Sequence, residues 1–418
     1  MPRSLLTTSA RATERAHEML AGVALHTPLE YSERLSRLYR ADIYLKREDL
    51  QPVRSYKIRG AYTLIHSLTP EERARGVVCA SAGNHAQGVA YSCKTLGIRG
   101  TIFMPETTPR QKVDKVRFFG DTWVDIQLIG KTFDESNAAA LAFVETNGAV
   151  YAPPFDDPRT IAGQGTVARE ILADLPDVDM VVHPIGGGGL IAGCGAYFAV
   201  HAPEVMVVGA EPAGALGMLR SLEAGRVVTL KDIDPFVDGA AVKKVGSKTF
   251  AIAKQVVNHI ISVPEGAVCT DMIELYQKEG IIAEPAGALA VAAFPQLAST
   301  LRGKKVVAVV SGGNNDISRY PEVIERSLVF QGLKHYFIIE FFQKPGELRT
   351  FVTEALGPGD DITRFEYIKK TNKEKGPALV GIELSRKEDF PALLARMDAL
   401  GIRYRHFTPD DVLYGVLI

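Results

Sequence analysis

Lys57 stands in Arg54-Ser-Tyr56-Lys57-Ile-Arg59-Gly-Ala61-Tyr62, a segment that begins a helix with the lysine near its first turn. A helix N-terminus disfavours an ammonium group, and neighbouring cations do the same, so the pattern biases Lys57 toward a neutral, nucleophilic amine. A solvated basic face would account for the same letters. Gly186, Gly187, Gly188 and Gly189, followed by Leu190, come after an apolar strand ending at Ile185 and open into a small-residue helix through Gly193 and Tyr197. Without side chains, consecutive backbone N–H groups can converge on an anion, and the helix dipole adds ~0.3–1 kcal/mol per charge. The run lacks the lysine and hydroxyl of a nucleotide P-loop and the spacing of a dinucleotide fingerprint. That leaves a phosphate cup, or a tight turn packed against another backbone.

Three further segments place polar groups at the ends of strands. Ser81-Ala82-Gly83-Asn84-His85 joins the strand Val77–Ala80 to the helix Ala86–Thr95. The turn offers backbone N–H groups and the Ser81 hydroxyl at a helix N-terminus, either as a receptor for a small carboxylate or as an ordinary cap. Ser311-Gly-Gly-Asn314 follows the apolar strand Val306–Val310, putting a hydroxyl at the carboxyl end of a strand, where open α/β sheets bind ligands. Glu284-Pro285-Ala286-Gly287 precedes another helix and could be no more than an acid in a first turn. Gly163-Gln-Gly165-Thr-Val-Ala168 spells a dinucleotide motif but follows Asp157-Pro158, an N-cap and N1 pair, and not a strand, so it reads as close helix packing.

These groups need a scaffold. From Ile43 to Val310 short apolar runs alternate with helical periodicity, the pattern of βα units around mainly parallel sheets. Strands are expected at Val77–Ala80, Thr101–Met104, Trp123–Leu128, Met180–Ile185, Val205–Ala210 and Val306–Val310. Helices are expected at Ile58–Ser67, Ala86–Thr95, Phe133–Asn147, Gly165–Ala173, Cys269–Lys278 and Gly287–Ala298. Near Tyr320 the texture changes to strand (Tyr336–Phe342), a helix opened by Lys344-Pro-Gly-Glu-Leu, strands Ile362–Lys369 and Ala378–Leu384, helix Phe390–Ala399 and strand Val412–Leu417. That βαββαβ order is a separate α+β module. The expected division is 1–325, with a smaller subdomain of about 53–152 inserted in the larger, and 333–418.

Composition bounds the function. The chain has 418 residues, enough for two or three domains, with 46% hydrophobic and 23% charged residues, which excludes disorder. Forty-eight basic against 49 acidic residues leave no field to recruit nucleic acid or an anionic membrane. The four cysteines are scattered, without metal-ligand spacing, and read as reduced thiols of a cytoplasmic protein. Met1-Pro-Arg-Ser-Leu-Leu has no apolar core of a secretory signal, and the longest uncharged stretch, Met180–Val200, contains six glycines and no membrane helix. The partner is expected to be a small molecule, with no metal.

A neutral lysine, a phosphate cup, a carboxylate loop and a hydroxyl for a ring nitrogen are together the parts of a pyridoxal 5′-phosphate enzyme. Ser55-Tyr-Lys57-Ile-Arg-Gly, Ser81-Ala-Gly-Asn-His-Ala-Gln-Gly88, Gly186–Leu190, Phe236-Val-Asp-Gly-Ala-Ala-Val242, Glu284-Pro-Ala-Gly-Ala and Ser311-Gly-Gly-Asn resemble the fold type II enzymes of the threonine dehydratase (threonine ammonia-lyase) family. The tail resembles a single ACT-like regulatory domain of the short biosynthetic forms. The resemblance implies that Lys57 holds the cofactor covalently, Gly186 to Gly189 with Leu190 hold its phosphate, and Tyr56 lies against the ring. It implies Asn84 at the ring 3′-oxygen, Ser311 at the ring nitrogen and Glu284 near the ring edge. Ser81, Ala82, Gly83 and His85 would receive the substrate carboxylate. L-threonine, and L-serine beside it, would be the substrates, isoleucine the effector with valine as antagonist, and the assembly a homotetramer or homodimer. A serine racemase is a rival, but that resemblance would put a hydroxyl at Ala82 and a metal-binding acid at Gly217. A β-replacement synthase would carry a different carboxylate loop, and a non-catalytic amino-acid sensor would not need Lys57 and Ser311.

Overall fold

The computed structural model describes residues 2–367 and 373–408, with Asp411 and Tyr414 besides. It divides into two compact units, Met1–Ile317 and Ser318–Ile418. The first unit contains two sheets. The larger runs in the order Leu29–Tyr31, Asp42–Arg47, Lys305–Val310, Met180–Pro184, Met206–Pro212 and His259–Val263. Only its first pair is antiparallel. The run Val306 to Val310 is wholly buried, as helices on both faces of a parallel sheet require. The smaller sheet, ordered Val124–Leu128, Gly100–Met104, Val77–Ala80 and Val150–Tyr151, is parallel throughout and comes from one continuous stretch of chain.

The expected strands of this unit are all present within two residues at either end. One expected helix is two: Gly287–Ala298 is broken at Ala293 into Pro285–Ala292 and Phe294–Leu301. Pro295 has no N–H to continue the first helix and suits the opening turn of the second. The helix Pro2–Met19 has no counterpart among the expected elements, because its buried stripe is made of small residues, Ala10, Thr13 and Ala16, that give little periodicity. The helix holding the false dinucleotide motif runs Pro158–Asp174, with Asp157 as N-cap accepting from Arg159 N. A Cβ on Gly163 would come within 2.4 Å of the Arg59 carbonyl oxygen, so this glycine is there for close packing.

In the second unit, the helix Tyr320–Phe330 precedes an antiparallel sheet ordered Asp361–Tyr367, Lys375–Glu383, Lys334–Phe342 and Arg403–Phe407. Helices Glu347–Thr350, prolonged by one wider turn to Ala355, and Phe390–Ala399 complete the βαββαβ order. The strand expected at Val412–Leu417 lies outside the described residues apart from Tyr414. The sheet's fourth strand is instead Arg403–Phe407, paired with Tyr336 to Glu340. Its exposed arginines alternate with Tyr404 and His406, so it carries too little apolar character to stand out in the sequence. Phe337, Ile339, Val380 and Ile382 form the core with Leu393 and Met397.

Candidate active site

A cavity of about 690 Å³ in the first unit is lined by Tyr56, Lys57, Ser81, Ala82, Gly83, Asn84, His85, Gly186, Gly187, Glu284 and Ser311, among others. Segments up to 255 residues apart in the chain are thus gathered at the carboxyl ends of both sheets. Backbone bonds stitch the walls together. Tyr56 N donates to Ser311 O at 3.1 Å, Gly313 N to Arg54 O at 2.9 Å, and Glu284 N to Gly312 O at 3.0 Å. A Cβ on Gly287 would lie 2.1 Å from the Gly312 carbonyl oxygen, so the Glu284 and Ser311 loops meet only because that residue is glycine.

Lys57 is the first residue of the helix Lys57–His66, with Tyr56 at its N-cap. Its Nζ donates to Pro154 O at 3.1 Å and lies 5.2 Å from the centre of the Tyr56 ring. Burial lowers the amine from 10.5 to about 8, with Glu284 opposing the shift. The expected neutral bias is there, but the flanking arginines do not produce it. Arg59 is buried and paired with Glu48 and Glu170, while Arg54 is exposed in a left-handed backbone conformation. A solvated basic face is therefore not what this segment forms. An amine-selective reagent should modify Lys57 of the cofactor-free protein with a rate that rises through about pH 8, since the neutral form reacts; a midpoint near 10.5 would contradict the shift.

Gly188 (φ +91°) turns the chain in a conformation that L side chains rarely adopt, and the helix Gly189–His201 starts directly after it. A Cβ on Gly187 would fall 2.2 Å from the Phe155 ring. The loop is held from outside: Gly187 O accepts from Thr249 Oγ1 at 2.7 Å and from Gly246 N at 3.2 Å. No backbone carbonyl among the described residues accepts from the N–H groups of Gly186 to Gly189. Unsatisfied donors at a helix N-terminus are what a phosphate dianion needs, so the cradle fits that end of the cofactor.

The Ser81–His85 turn is not an ordinary cap. Gly83 is the N-cap of the helix Asn84–Leu96, with no side-chain cap bond, and Ser81 Oγ instead accepts from Gly83 N at 3.3 Å. Asn84 Nδ2 donates to Glu284 Oε1 at 2.6 Å across the cavity, and Asn84 Oδ1 accepts from Asn314 Nδ2 at 2.8 Å. Glu284 therefore spends its carboxylate on the site and not on the helix that it opens, which has no side-chain cap bond. Burial, reinforced by Asp238, pushes it up to about 7. His85 Nε2 donates to Ala152 O at 2.8 Å, and burial with the nearby Lys57 charge pulls the ring down to about 3, so the imidazole stays neutral. The Ser311 hydroxyl, 2% exposed, donates to Ala286 O at 3.1 Å.

Leu190 is buried in the core behind the cup rather than among the cavity-lining residues. Several contributors have no local signature. Asp156 accepts from Ser247, Lys248 and Thr249 N–H groups and so fixes the helix that supports Gly187. At the mouth, Lys112 Nζ pairs with Asp238 at 2.7 Å and Lys115 Nζ donates to Asn314 Oδ1 at 3.2 Å.

Residues 21–312 match the family described as pyridoxal-phosphate dependent enzyme, and residues 325–417 match the C-terminal regulatory domain of threonine dehydratase. A biosynthetic L-threonine dehydratase of Bacillus subtilis is 53% identical over 405 residues, which cover 97% of this chain and 96% of the relative. Another from Mycobacterium tuberculosis is 53% identical over 418 residues, covering 99% and 97%. Among solved structures, a processed threonine deaminase isoform from Solanum lycopersicum superposes with a TM-score of 0.73 at 40% identity, over 77% of this chain and 88% of that one. Maize serine racemase gives 0.71 at 30% identity, over 76% and 97%.

Proposed function

The chain belongs to the pyridoxal-phosphate dependent enzymes, and from that premise we propose that it converts L-threonine to 2-oxobutanoate and ammonia, and L-serine to pyruvate, as the first committed step of isoleucine biosynthesis. The observation that carries this reading is one cavity holding a buried amine of lowered basicity together with an anion cup and a helix-end carboxylate loop.

When bound, the cofactor supplies an aldehyde for the substrate amine and an electron-poor ring that draws electrons from Cα. The N–H groups of Gly186 to Gly189 would hold its phosphate, with Leu190 packed behind them. Tyr56 would lie against the ring, Asn84, held by Glu284 and Asn314, would serve the 3′-oxygen, and Ser311 would serve the ring nitrogen. The N–H groups of the Ser81–His85 turn hold the substrate carboxylate. Lys57 would be the group that takes up the Cα proton; an amine with a pKa lowered to about 8 is well matched to that task at neutral pH. At the Ser311 position a hydroxyl, unlike a carboxylate, would not hold a proton on the ring nitrogen, which would favour loss of the β-hydroxyl over transamination. The released enamine takes up water to give the keto acid and ammonia.

The racemase reading is weaker on two residues. Ala82 lines the cavity and offers no hydroxyl where that reading needs one. The Glu211 carboxylate is spent on the N–H groups of Met218 and Leu219, at 2.7 and 2.9 Å, with Gly217 beside it where an acid would be needed for a metal.

The C-terminal unit is the regulatory part, with isoleucine as effector and valine as its antagonist, in a cytoplasmic homotetramer or homodimer. A cavity of about 380 Å³ in that unit, lined by Phe341, Phe365 and Tyr367 together with Lys344, Glu347 and Arg349, suits a zwitterion with an aliphatic side chain. Keto-acid formation from L-threonine and L-serine, each with and without isoleucine, tests the whole reading. Threonine should give product that isoleucine suppresses, and suppression should vanish when the chain ends at Gln331. No product at any threonine concentration would favour a sensor, and inhibition that survives the truncation would remove the regulatory assignment.

A further inference from the structure

The helix Pro2–Met19 lies ahead of the segment matched by the catalytic family. It is nonetheless built into the first unit: Ala10, Thr13 and Ala16 are 1% exposed. A Cβ on Gly165 would lie 2.5 Å from Thr13 Oγ1 and 2.9 Å from the Gly193 carbonyl oxygen. One on Gly193 would lie 2.3 Å from Ile161 O and 2.7 Å from Gly165 N. The helices Pro158–Asp174 and Gly189–His201 therefore pass at backbone distance, with Thr13 of the N-terminal helix seated against their crossing, and Gly193 stands one turn beyond Gly189, the last glycine of the cup.

Polar contacts lock the same junction. The Tyr197 hydroxyl donates to Glu14 Oε1 at 2.5 Å, and Arg169 Nε donates to Glu14 Oε2 at 2.8 Å. Leu6 packs in a cluster with Ala192 and Ala196 of the cup helix and with Ile252 and Val256 of the helix Ser247–Val256. The second of these helices supports Gly187 through Thr249. The N-terminal helix thus touches both helices whose starts build the cup.

We propose that the helix Pro2–Met19 is a positioning element for the cofactor's phosphate, setting the spacing of the Gly186–Gly189 N–H groups by fixing the two helices behind them. This rests on the cofactor reading above. Hydrogen bonds weaken steeply as they lengthen or bend, so a loosened cup helix loses phosphate affinity while the lysine chemistry, on another helix, is spared.

The test titrates full-length, cofactor-free protein with pyridoxal 5′-phosphate and with pyridoxal, which lacks the phosphate, following visible absorbance. In a Leu6→Ala/Glu14→Ala variant the Kd for pyridoxal 5′-phosphate should rise about 10-fold, the worth of roughly one good hydrogen bond, with the Kd for pyridoxal within twofold of the parent. Equal weakening of both probes would mean general loosening and would overturn the proposal, as would unchanged affinity for both. If the double variant does not fold, Tyr197→Phe decides by the same ratio of the two affinities. A parent protein that binds neither probe would refute the cofactor reading itself, an outcome distinct from parent binding that the variants leave unaltered.

Discussion

Replacing Lys57 with Ala should lower keto-acid formation by roughly 10⁴-fold or more and remove the visible absorbance of the loaded enzyme at the same time, because in the proposed reading one amine serves as both attachment point and base. Two of the four other cavity lysines are already engaged: Lys112 with Asp238 and Lys115 with Asn314, leaving Lys243 and Lys244 as the ones a rescue would have to recruit. The variant should fold. The amine's partner is a single carbonyl, and its basicity is lowered by burial, which means the folded chain carries the ammonium at a cost. With the folded value below the unfolded one, the unfolded chain binds more protons between about pH 8 and 10.5, so the cofactor-free parent gains stability as pH rises through that window. The Ala variant should lose that gain and melt no lower than the parent at pH 7. A retained visible band with normal position, or retained turnover, would show that another group holds the cofactor.

What the sequence revealed of this site and what it concealed follow from distance along the chain. The glycine run was legible as a strand-to-helix turn because its conformation is local: a strand before it, a helix after it, and no side chains between. The Lys57 segment was legible in direction but not in cause, since the arginines written beside the lysine turn away from it and the burial that lowers it comes from loops remote in the chain, such as those of Pro154 and Ser311. Asp156 stands beside a good N-cap of its own helix, yet it serves another helix 91 residues on, and nothing in its neighbourhood announces that. The N-terminal helix hid for the opposite reason. It buries small residues because it approaches other backbones closely, and small residues carry the weakest periodic signal.

Arg59 is the extreme case of a role fixed by remote partners, and its loss should be the most destabilising single change in the first unit. The guanidinium is 1% exposed and donates to both carboxylate oxygens of Glu48 and of Glu170, to Thr166 Oγ1 and to Leu25 O. Lys46, fully buried, bonds Glu170 from the other side at 2.7 Å. Burial alone would push the Glu170 carboxyl up; Arg59 and Lys46 outweigh it and hold it below the ordinary carboxylate range. Arg59→Met leaves Glu170 one cation and Glu48 only the Thr27 hydroxyl and the Gln51 amide. An uncompensated buried charge of this kind costs roughly 3–5 kcal/mol, enough for a fall on the order of 10 °C in Tm. The sign with pH follows. Glu170's contribution in the parent is present above its unfolded value of 4.5 and is lost as pH falls below it. In the variant Glu170 keeps the burial that raises its carboxyl and loses one of the two cations that lower it, so protonation relieves it and the gap between variant and parent should narrow from pH 7 to pH 5. Adding Glu48→Gln should recover part of the loss, since it removes the charge that has no cation left. Thermal melts at the two pH values decide the matter: equal Tm for Arg59→Met and parent at pH 7, or a gap that widens on acidification, would mean that the network does not hold the lysine helix in place.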